Sequence, residues 1–395
     1  MPSARATLWT LSFAMGLSSV AQSMLATAVP LLAVALGMAP AWVGVLVALP
    51  NVIPVALGMA TGRWVDRGGA GRWLVGGVAG MATAPLLLAL APQAAGLALA
   101  QLLLGAFQMV TALASQSYVA DATPRGSMER AYATYATFLS AGRLVGPVLV
   151  GVLIDAAGFR PSFAVAAAIE AAALAVVWST RRAVSAGTSD RNGSGGAEED
   201  AGSHGEGVAS EAARNGSMTT DPPATDPPAP FGVREAWQNV GVQLAVLASS
   251  AVFVAISVRQ AFLPVVLDDV GFSATEIGTL ISLGGVASVT MRPLMPVVSR
   301  LLGGPARTLV VALAMLALAV GLLGVVSSFA AFALLSLTAG AATGFGNPLS
   351  IVTVAQHVGS GERGTALGVR MSSNRAAQLV APVLVGALIG VACFA

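Results

Sequence analysis

Long apolar runs constrain the fold of this chain more than any other feature. We count eleven runs of about 20 residues, and a helix of that length spans the hydrocarbon core of a bilayer. Hydrophobic residues make up 56% of the chain and charged residues only 10%, too few for the surface of a soluble protein. Because lipid cannot satisfy exposed backbone groups, runs of this length predict helices. We therefore predict an all-α polytopic membrane protein.

The predicted spans form two groups on either side of a polar segment. They cover 8–36, 41–61, 73–92, 94–119, 131–155, 161–180, 237–268, 274–298, 307–327, 329–357 and 364–391. Residues 181–236 are rich in Gly, Ser and Pro, a composition that cannot bury enough apolar surface to fold alone. We predict a six-helix bundle at 1–180, a disordered linker at 181–236 and a five-helix bundle at 237–395.

The distribution of basic residues indicates the orientation in the membrane. All 20 are Arg, and most flank the spans on the side that holds the N-terminus and the linker. Since positive residues accumulate on the cytoplasmic side, we predict that the N-terminus and the linker are cytoplasmic. We place the chain in the cell (inner) membrane, with the C-terminus on its outer side. The net charge of +2 is spread over these loops and does not indicate a nucleic-acid partner.

The rarity of Lys, Cys and His excludes several classes of function. A phosphate-loop ATPase needs a Lys on the nucleotide phosphates, and this chain has none. Its single Cys, Cys393, forms neither an internal disulfide nor a cysteine metal cluster. His204 and His357 lie far apart in the sequence. We expect no enzymatic activity, no cofactor and no metal site.

The two groups of spans repeat each other. VGPVLVGVLIDAAGF at 145–159 matches VAPVLVGALIGVACF at 380–394 at ten of fifteen positions, and 29–44 aligns with 263–278. The alignment pairs Pro30 with Pro264, Gly37 with Gly271, and Gly44 with Gly278 at an offset of 234, and Pro147 with Pro382 and Gly151 with Gly386 at 235. Two parallel six-span repeats are typical of secondary transporters whose substrate site lies between the halves. Because the second copy stops where its sixth span should begin, we predict a chain that lacks the twelfth helix.

Two motifs in the first half resemble signatures of the major facilitator superfamily. GMATGRWVDRGGAGR at 58–72 resembles the family's loop between spans two and three, and GRLVGPVLVG at 142–151 resembles its helix-five antiporter motif. The motif positions are occupied by Gly62, Asp66, Arg67, Gly68 and Arg72 in the loop and by Gly142, Gly146, Pro147 and Gly151 in span five. Together with the repeat, the resemblance covers nearly all of the chain except the linker. It implies a drug/proton-antiporter-like transporter with the major-facilitator-type fold.

The loop motif suggests a gate at the cytoplasmic side. The N-terminus of the eleventh span offers free N–H groups and the positive end of a helix dipole, which favour an anion. The resemblance implies that Asp66 binds there and holds that side shut. Arg67 and Arg72 either pair with Asp121 at the end of span four or serve only to set the topology.

The span-five motif suggests close helix packing. Gly142, Gly146 and Gly151 give the helix a flat face, and Pro147 kinks it. The resemblance associates this motif with antiport and hence with export, whereas the alternative is ordinary packing of small residues. The family's antiporters often carry an Arg in span four, where this chain has Gln101, which argues against proton coupling through that position.

Ionisable side chains inside spans are costly and suggest functional positions. The polar and charged candidates for the cavity or for coupling are Gln22, Gln101, Arg143, Glu170, Arg259, Arg292, Arg370, Asn374, Arg375 and Gln378. Glu170, the only carboxylate deep within a span, either pairs with Arg143 or carries a proton. Arg370, Asn374 and Gln378 are four residues apart and share a helix face. Positive charge with few carboxylates indicates an anionic or amphipathic substrate.

Taken together, these features predict a secondary active transporter in the lipid bilayer. We expect it to export small hydrophobic or amphipathic molecules by alternating access, with protons as the coupling ion. The alternatives are a symporter for metabolite uptake and a transport-inactive, truncated membrane protein.

Overall fold

The computed structural model describes residues 4–57, 61, 69–123, 128–194, 240–357 and 363–392. In chain order the helices are α1 (Ala4–Ala35), α2 (Pro40–Ala48), α3 (Ala70–Leu90), α4 (Ala94–Ala122), α5 (Met128–Ala157), α6 (Phe159–Ser194), α7 (Val240–Val270), α8 (Ala274–Met291), α9 (Met295–Leu301), α10 (Pro305–Gly321), α11 (Phe329–His357) and α12 (Arg363–Ala392). A 3-10 turn at Leu49–Asn51 carries α2 on into helical residues up to 57. We call α1–α6 the N half and α7–α12 the C half.

The helices have the length and composition of membrane spans. Ten helices in the described ranges are long and apolar enough to cross a bilayer, and the number is eleven if α9 and α10, which meet at a bend of 103°, count as one span. This confirms the predicted all-α polytopic fold.

The structure departs from the predicted boundaries in two places. The span predicted at 274–298 is interrupted after Met291, because Pro293 has no N–H to continue the helical hydrogen bonds. Gly303 and Gly304, both at positive φ, then turn the chain between α9 and α10. Residues 181–194 of the predicted linker are helical as the end of α6, and no Pro interrupts this stretch.

The internal repeat is visible in the backbone at the ends of α1 and α7. Gly37 has φ 70° and Gly271 has φ 95°, the left-handed conformation that glycine adopts just after a helix. Gly37 N–H donates to Val34 O at 2.8 Å and Met38 N–H to Ala33 O at 3.0 Å. The aligned groups around Gly271 form the same pair of bonds. Residues paired by the sequence alignment therefore terminate equivalent helices in the same way.

Each half has its own apolar core, and the most extensive contacts between the halves lie along three helix pairs. α1 packs against α7, α5 against α8, and α2 against α12. The repeat relates the last two pairs, because α2 corresponds to α8 and α5 to α12. We call the end of the molecule where α5 joins α6 the far side, and the end where α6 finishes and α7 begins the linker side.

Candidate functional site

Glycines bring the two halves into backbone contact at the far side. A Cβ on Gly278 of α8 would collide with the carbonyl oxygen of Pro147 in α5, and one on Gly151 would collide with that of Ala274. Only a residue without a side chain permits helices to approach this closely. The α5–α8 contact therefore depends on both glycines.

The contact between α2 and α12 repeats this arrangement. A Cβ on Gly44 would collide with the carbonyl oxygen of Pro382, and one on Gly386 would lie 2.8 Å from that of Pro40. These residues are the repeat equivalents of those at the α5–α8 contact. The far side is thus closed by two copies of one contact, as expected for halves related by a pseudo-twofold axis.

One polar interaction at the far side has no counterpart in the repeat. The carboxylate of Asp155, near the end of α5, accepts hydrogen bonds from the backbone N–H groups of Ala274 (3.0 Å) and Thr275 (2.8 Å) at the start of α8. A carboxylate at a helix N-terminus is stabilised by the free N–H groups and by the helix dipole. The aligned position in α12 is Gly390. We call the Asp155 interaction with α8 the far-side latch.

We expect Asp155→Asn to weaken closure of the far side. Replacing the charged acceptor removes about 1 kcal/mol at this exposed position, which lowers the ratio of closed to open molecules roughly fivefold. Nitroxide labels at Gln93→Cys and Ser327→Cys, in a Cys393→Ser background, report the separation of the halves by pulsed electron paramagnetic resonance in nanodiscs. Asp269→Asn, another exposed far-side carboxylate, serves as the control. An unchanged distance distribution in Asp155→Asn would contradict the latch.

The glycines of the span-five motif serve two different contacts. Gly142 and Gly146 face α1, where an added Cβ would lie 2.8 Å from Ser19 Cβ and 2.6 Å from the Val20 carbonyl oxygen, respectively. Gly151 faces α8 in the other half. The predicted flat face is therefore divided, since the first two glycines hold α5 within the N half while Gly151 and Pro147 contribute to the contact between halves.

Glu170 of α6 lies at the end of a chain of polar side chains. Its Oε1 accepts a hydrogen bond from Ser18 Oγ at 2.8 Å. Ser18 Oγ accepts from Gln22 Nε2 at 3.3 Å, and Gln22 Oε1 accepts from Gln108 Nε2 at 2.6 Å. We call these four residues the Glu170 chain, which connects α6, α1 and α4. Glu170 and Ser18 are buried, whereas Gln22 and Gln108 are partly exposed.

The Glu170 chain replaces the ion pair that the sequence suggested as one alternative. Glu170 takes its hydrogen bond from Ser18 and does not pair with Arg143. The reason is geometric. Gly142 lies on the side of α5 that contacts α1. Arg143, the next residue, projects about 100° further around the helix and so does not lie on that side.

Gln101 has a partner that accounts for its burial. Its Nε2 donates to the backbone oxygen of Leu46 at 3.0 Å. In a helix that oxygen would accept from the residue four positions later, which is Pro50 and has no N–H. Gln101 of α4 thus satisfies a carbonyl of α2 that the proline leaves free, as neighbouring helices do in membranes.

The polar residues of α12 point in two directions. Arg370 and Asn374 are buried, and Asn374 Oδ1 accepts from Ser249 Oγ of α7 at 2.8 Å. Gln378 Nε2 donates to the backbone oxygen of Asn374 at 3.2 Å. Arg375 is exposed and donates through Nη1 to Asn51 Oδ1 at 3.2 Å, across the boundary between the halves. Arg375 therefore reaches the other half.

Arg259 of α7 lies inside the C half. Its Nη2 donates to Ser336 Oγ of α11 at 3.3 Å. A Cβ on Gly284 of α8 would lie 2.7 Å from the same nitrogen. The missing side chain of Gly284 therefore makes room for this guanidinium between three helices.

The predicted gating motif falls mostly outside the described residues. Gly62, Asp66, Arg67 and Gly68 lie there, as does the side chain of Asp121. Arg72 is described and is exposed in the first turn of α3. The interaction proposed for Asp66 stays a prediction.

Comparison with known proteins gives a family match over most of the chain. The profile of the Major Facilitator Superfamily matches residues 11–382. No curated protein sequence matches the chain.

Several solved structures share the fold. The chain resembles a bacterial homologue of the human lysosomal transporter Spinster in an inward-facing, unoccupied conformation, with 15% identity, a TM-score of 0.72 and coverage of 98% of this chain and 82% of that one. It also resembles a mutant of the nucleoside transporter NupG (14%, TM-score 0.70, 98% and 92%) and the peptide transporter POT in complex with sulfate (15%, TM-score 0.69, 96% and 88%). At these identities the likeness concerns the fold.

Proposed function

We propose that this chain, which belongs to the Major Facilitator Superfamily, is a proton-coupled secondary transporter that exports small amphipathic molecules from the cell by alternating access. The family and the fold make it a multi-pass membrane transporter. The proposal adds the coupling ion, the direction and the membrane, which is the cell (inner) membrane.

The observation that carries the proposal is the position of Glu170. Among the described residues it is the only buried carboxylate, and a charged carboxylate is costly at that depth. Its hydrogen bond comes from Ser18, a neutral group. A carboxyl group without a cationic partner can gain a proton and lose its charge within the membrane, which is what a proton carrier requires.

The Glu170 chain suggests how that proton affects the rest of the N half. A charged Glu170 accepts the Ser18 hydrogen, and Ser18 Oγ in turn accepts from Gln22. If the proton binds Oε1, the neutral carboxyl group donates to Ser18, and the Ser18 hydrogen then needs another acceptor. The Gln22 amide carbonyl is in reach if the amide turns over, which also breaks its bond with Gln108. A proton on the buried Oε1 thus changes hydrogen bonding at two partly exposed side chains.

The contacts at the far side support alternating access. Two repeat-related contacts and the far-side latch close one end of the molecule, and each consists of a few backbone or hydrogen-bond contacts between rigid helices. Such contacts can be exchanged for an equivalent set at the other end when the halves rock. The Arg-rich linker side is assigned to the cytoplasm, and the helix-five motif supports export.

Counterflow exchange in proteoliposomes tests whether the chain is a carrier. Vesicles are loaded with unlabelled benzoate, phenyl phosphate, benzamide or phenyltrimethylammonium and diluted into a trace of the same labelled compound. A carrier accumulates label transiently without any ion gradient, because inward label exchanges for outward unlabelled substrate. We expect such an overshoot for at least one compound. Folded protein that exchanges none of them would favour the transport-inactive alternative.

A further inference from the structure

Three arginines from three helical segments converge where the halves face each other. Arg143 lies in α5, Arg292 directly follows α8, and Arg375 lies in α12. All three side chains are exposed. We call them the arginine cluster.

Two independent observations place the cluster together. Arg292 Nη1 donates to Ser140 Oγ at 3.5 Å, and Ser140 lies on α5 three residues before Arg143, which is one helical turn away. The positive charge of Arg292 acts on Arg143, and that of Arg143 acts on Arg375, which places the three guanidinium groups in one region. Because these side chains approach one another across the boundary between the halves, their exposed surfaces face the space between the halves and not the lipid.

The cluster lies on the linker side of the closed contacts. Arg143 comes before Pro147 on α5, and Arg375 comes before Pro382 on α12, and both helices run from the linker side to the far side. The far-side contacts therefore close the space between the halves on the far side of the arginine cluster. The three arginine side chains themselves are exposed.

The positive charge of the cluster is not balanced by the described residues around it. Arg292 and Arg375 each donate to one neutral side chain, and within the described ranges no carboxylate contacts any of the three. A guanidinium has five N–H donors, and Arg292 and Arg375 each use one of them in a hydrogen bond with a described residue. Like charges held between helices repel, and a bound anion would remove that cost.

We propose that the arginine cluster binds the carboxylate or phosphate group of a small organic anion, which makes organic anions the substrate class of this transporter. The inference rests on the proposed transport function. Planar guanidinium groups bind carboxylate and phosphate in a bidentate manner. Arg143 comes from the N half, and Arg292 and Arg375 come from the C half. An anion held by both halves links occupancy of the site to their relative position.

Calorimetric titration of the full chain in nanodiscs tests the site. The probes are benzoate, phenyl phosphate and phenyltrimethylammonium, which share one aromatic ring and differ in the charged group. We expect both anions to bind at least about tenfold more tightly than the cation. Arg143→Gln and Arg375→Gln should each weaken anion binding about tenfold or more. Tighter binding of phenyl phosphate than of benzoate would identify phosphate as the preferred group.

Controls separate a lost site from a misfolded protein. Arg160→Gln removes an exposed Arg from the start of α6 and should leave anion binding unchanged. Arg143→Lys keeps the charge but not the planar fork, so it should bind more tightly than Arg143→Gln. Failure of both anions to bind, equal binding of the cation, or anion affinities unaffected by the Gln variants in a protein of unchanged thermal stability would each overturn the assignment.

Counterflow distinguishes failure of this assignment from failure of the transport proposal. If the protein exchanges phenyltrimethylammonium and Arg143→Gln does not alter that exchange, the transport proposal stands and the anion site is overturned. Anion binding without counterflow of any probe would support the site and contradict transport.

Discussion

Glu170→Gln should strongly reduce proton-driven transport while sparing exchange. Glutamine has nearly the same shape and still offers Ser18 an acceptor oxygen in place of Oε1, but it cannot release a proton. We expect transport driven by a proton gradient to fall by about fivefold to 150-fold. Counterflow without a gradient should stay within about twofold to threefold of the unmodified protein, because exchange requires no net proton movement. Both rates are measured in the same proteoliposomes.

A second carboxylate provides the matched control for this substitution. Glu276 lies in the first turn of α8, is partly exposed, and forms a capping box with Ser273. Glu276→Gln should leave gradient-driven transport intact, apart from a small loss of helix stability. If Glu170→Gln retains full gradient-driven transport, then Glu170 serves only to join α6 to α1, and the coupling proton is carried elsewhere.

Gly278→Val should hold the far side open. The new Cβ would meet the backbone of Pro147, and Val148 Cα lies 3.2 Å from the same position. Backbone atoms cannot turn away as a flexible side chain can, so the halves must separate at a cost of about 1–3 kcal/mol to the closed state. The ratio of closed to open molecules should fall by about fivefold to 150-fold. The Gln93→Cys and Ser327→Cys label pair should report longer distances, and counterflow should fall in parallel.

The repeat supplies an independent test of the same contact. Gly44→Val introduces the equivalent clash with Pro382 and should produce the same shift in distance. Gly76→Val controls for the glycine-to-valine change within a helix, because nothing lies within 4 Å of the added Cβ at that position of α3. Closed-state distances in Gly278→Val like those of Gly76→Val would show that this contact does not close the far side.

Much of the architecture can be predicted from the sequence, because the repeat and the apolar runs each extend over many residues. Gly44 and Gly278 align in the sequence, and so do Pro147 and Pro382. In the structure Gly44 contacts Pro382, and Gly278 contacts Pro147. An alignment indicates which positions are equivalent, but it does not indicate which of them touch. That information comes from the packing of α2 against α12 and of α5 against α8.

The polar contacts could not be predicted, because they depend on how each helix is rotated about its axis. Arg143 and Glu170 are both within spans, but α5 turns Gly142 toward α1, and Ser18 takes the position beside Glu170. On α12 the four-residue spacing favoured the helix face that carries Arg370, Asn374 and Gln378. In the structure Arg375 contacts the other half.

The sequence contains a signal for the latch residue Asp155, but only the structure identifies the groups that it contacts. It is the single charged residue in the repeated stretch 145–159, and the aligned position 390 holds Gly. A charge present in one copy and absent from the other indicates a contact that one half makes alone. Its partners, the amides of Ala274 and Thr275, belong to the other half and lie too far along the chain to be inferred from spacing.

The direction of substrate movement against an imposed proton gradient tests the central claim most directly. Proteoliposomes with an acidic lumen are diluted into alkaline buffer with whichever labelled probe exchanges fastest in counterflow. Proton-coupled antiport predicts that the probe accumulates in the acidic lumen as protons leave, and that Glu170→Gln prevents this accumulation. Accumulation only in vesicles with an alkaline lumen, where protons and probe enter together, would contradict export by antiport.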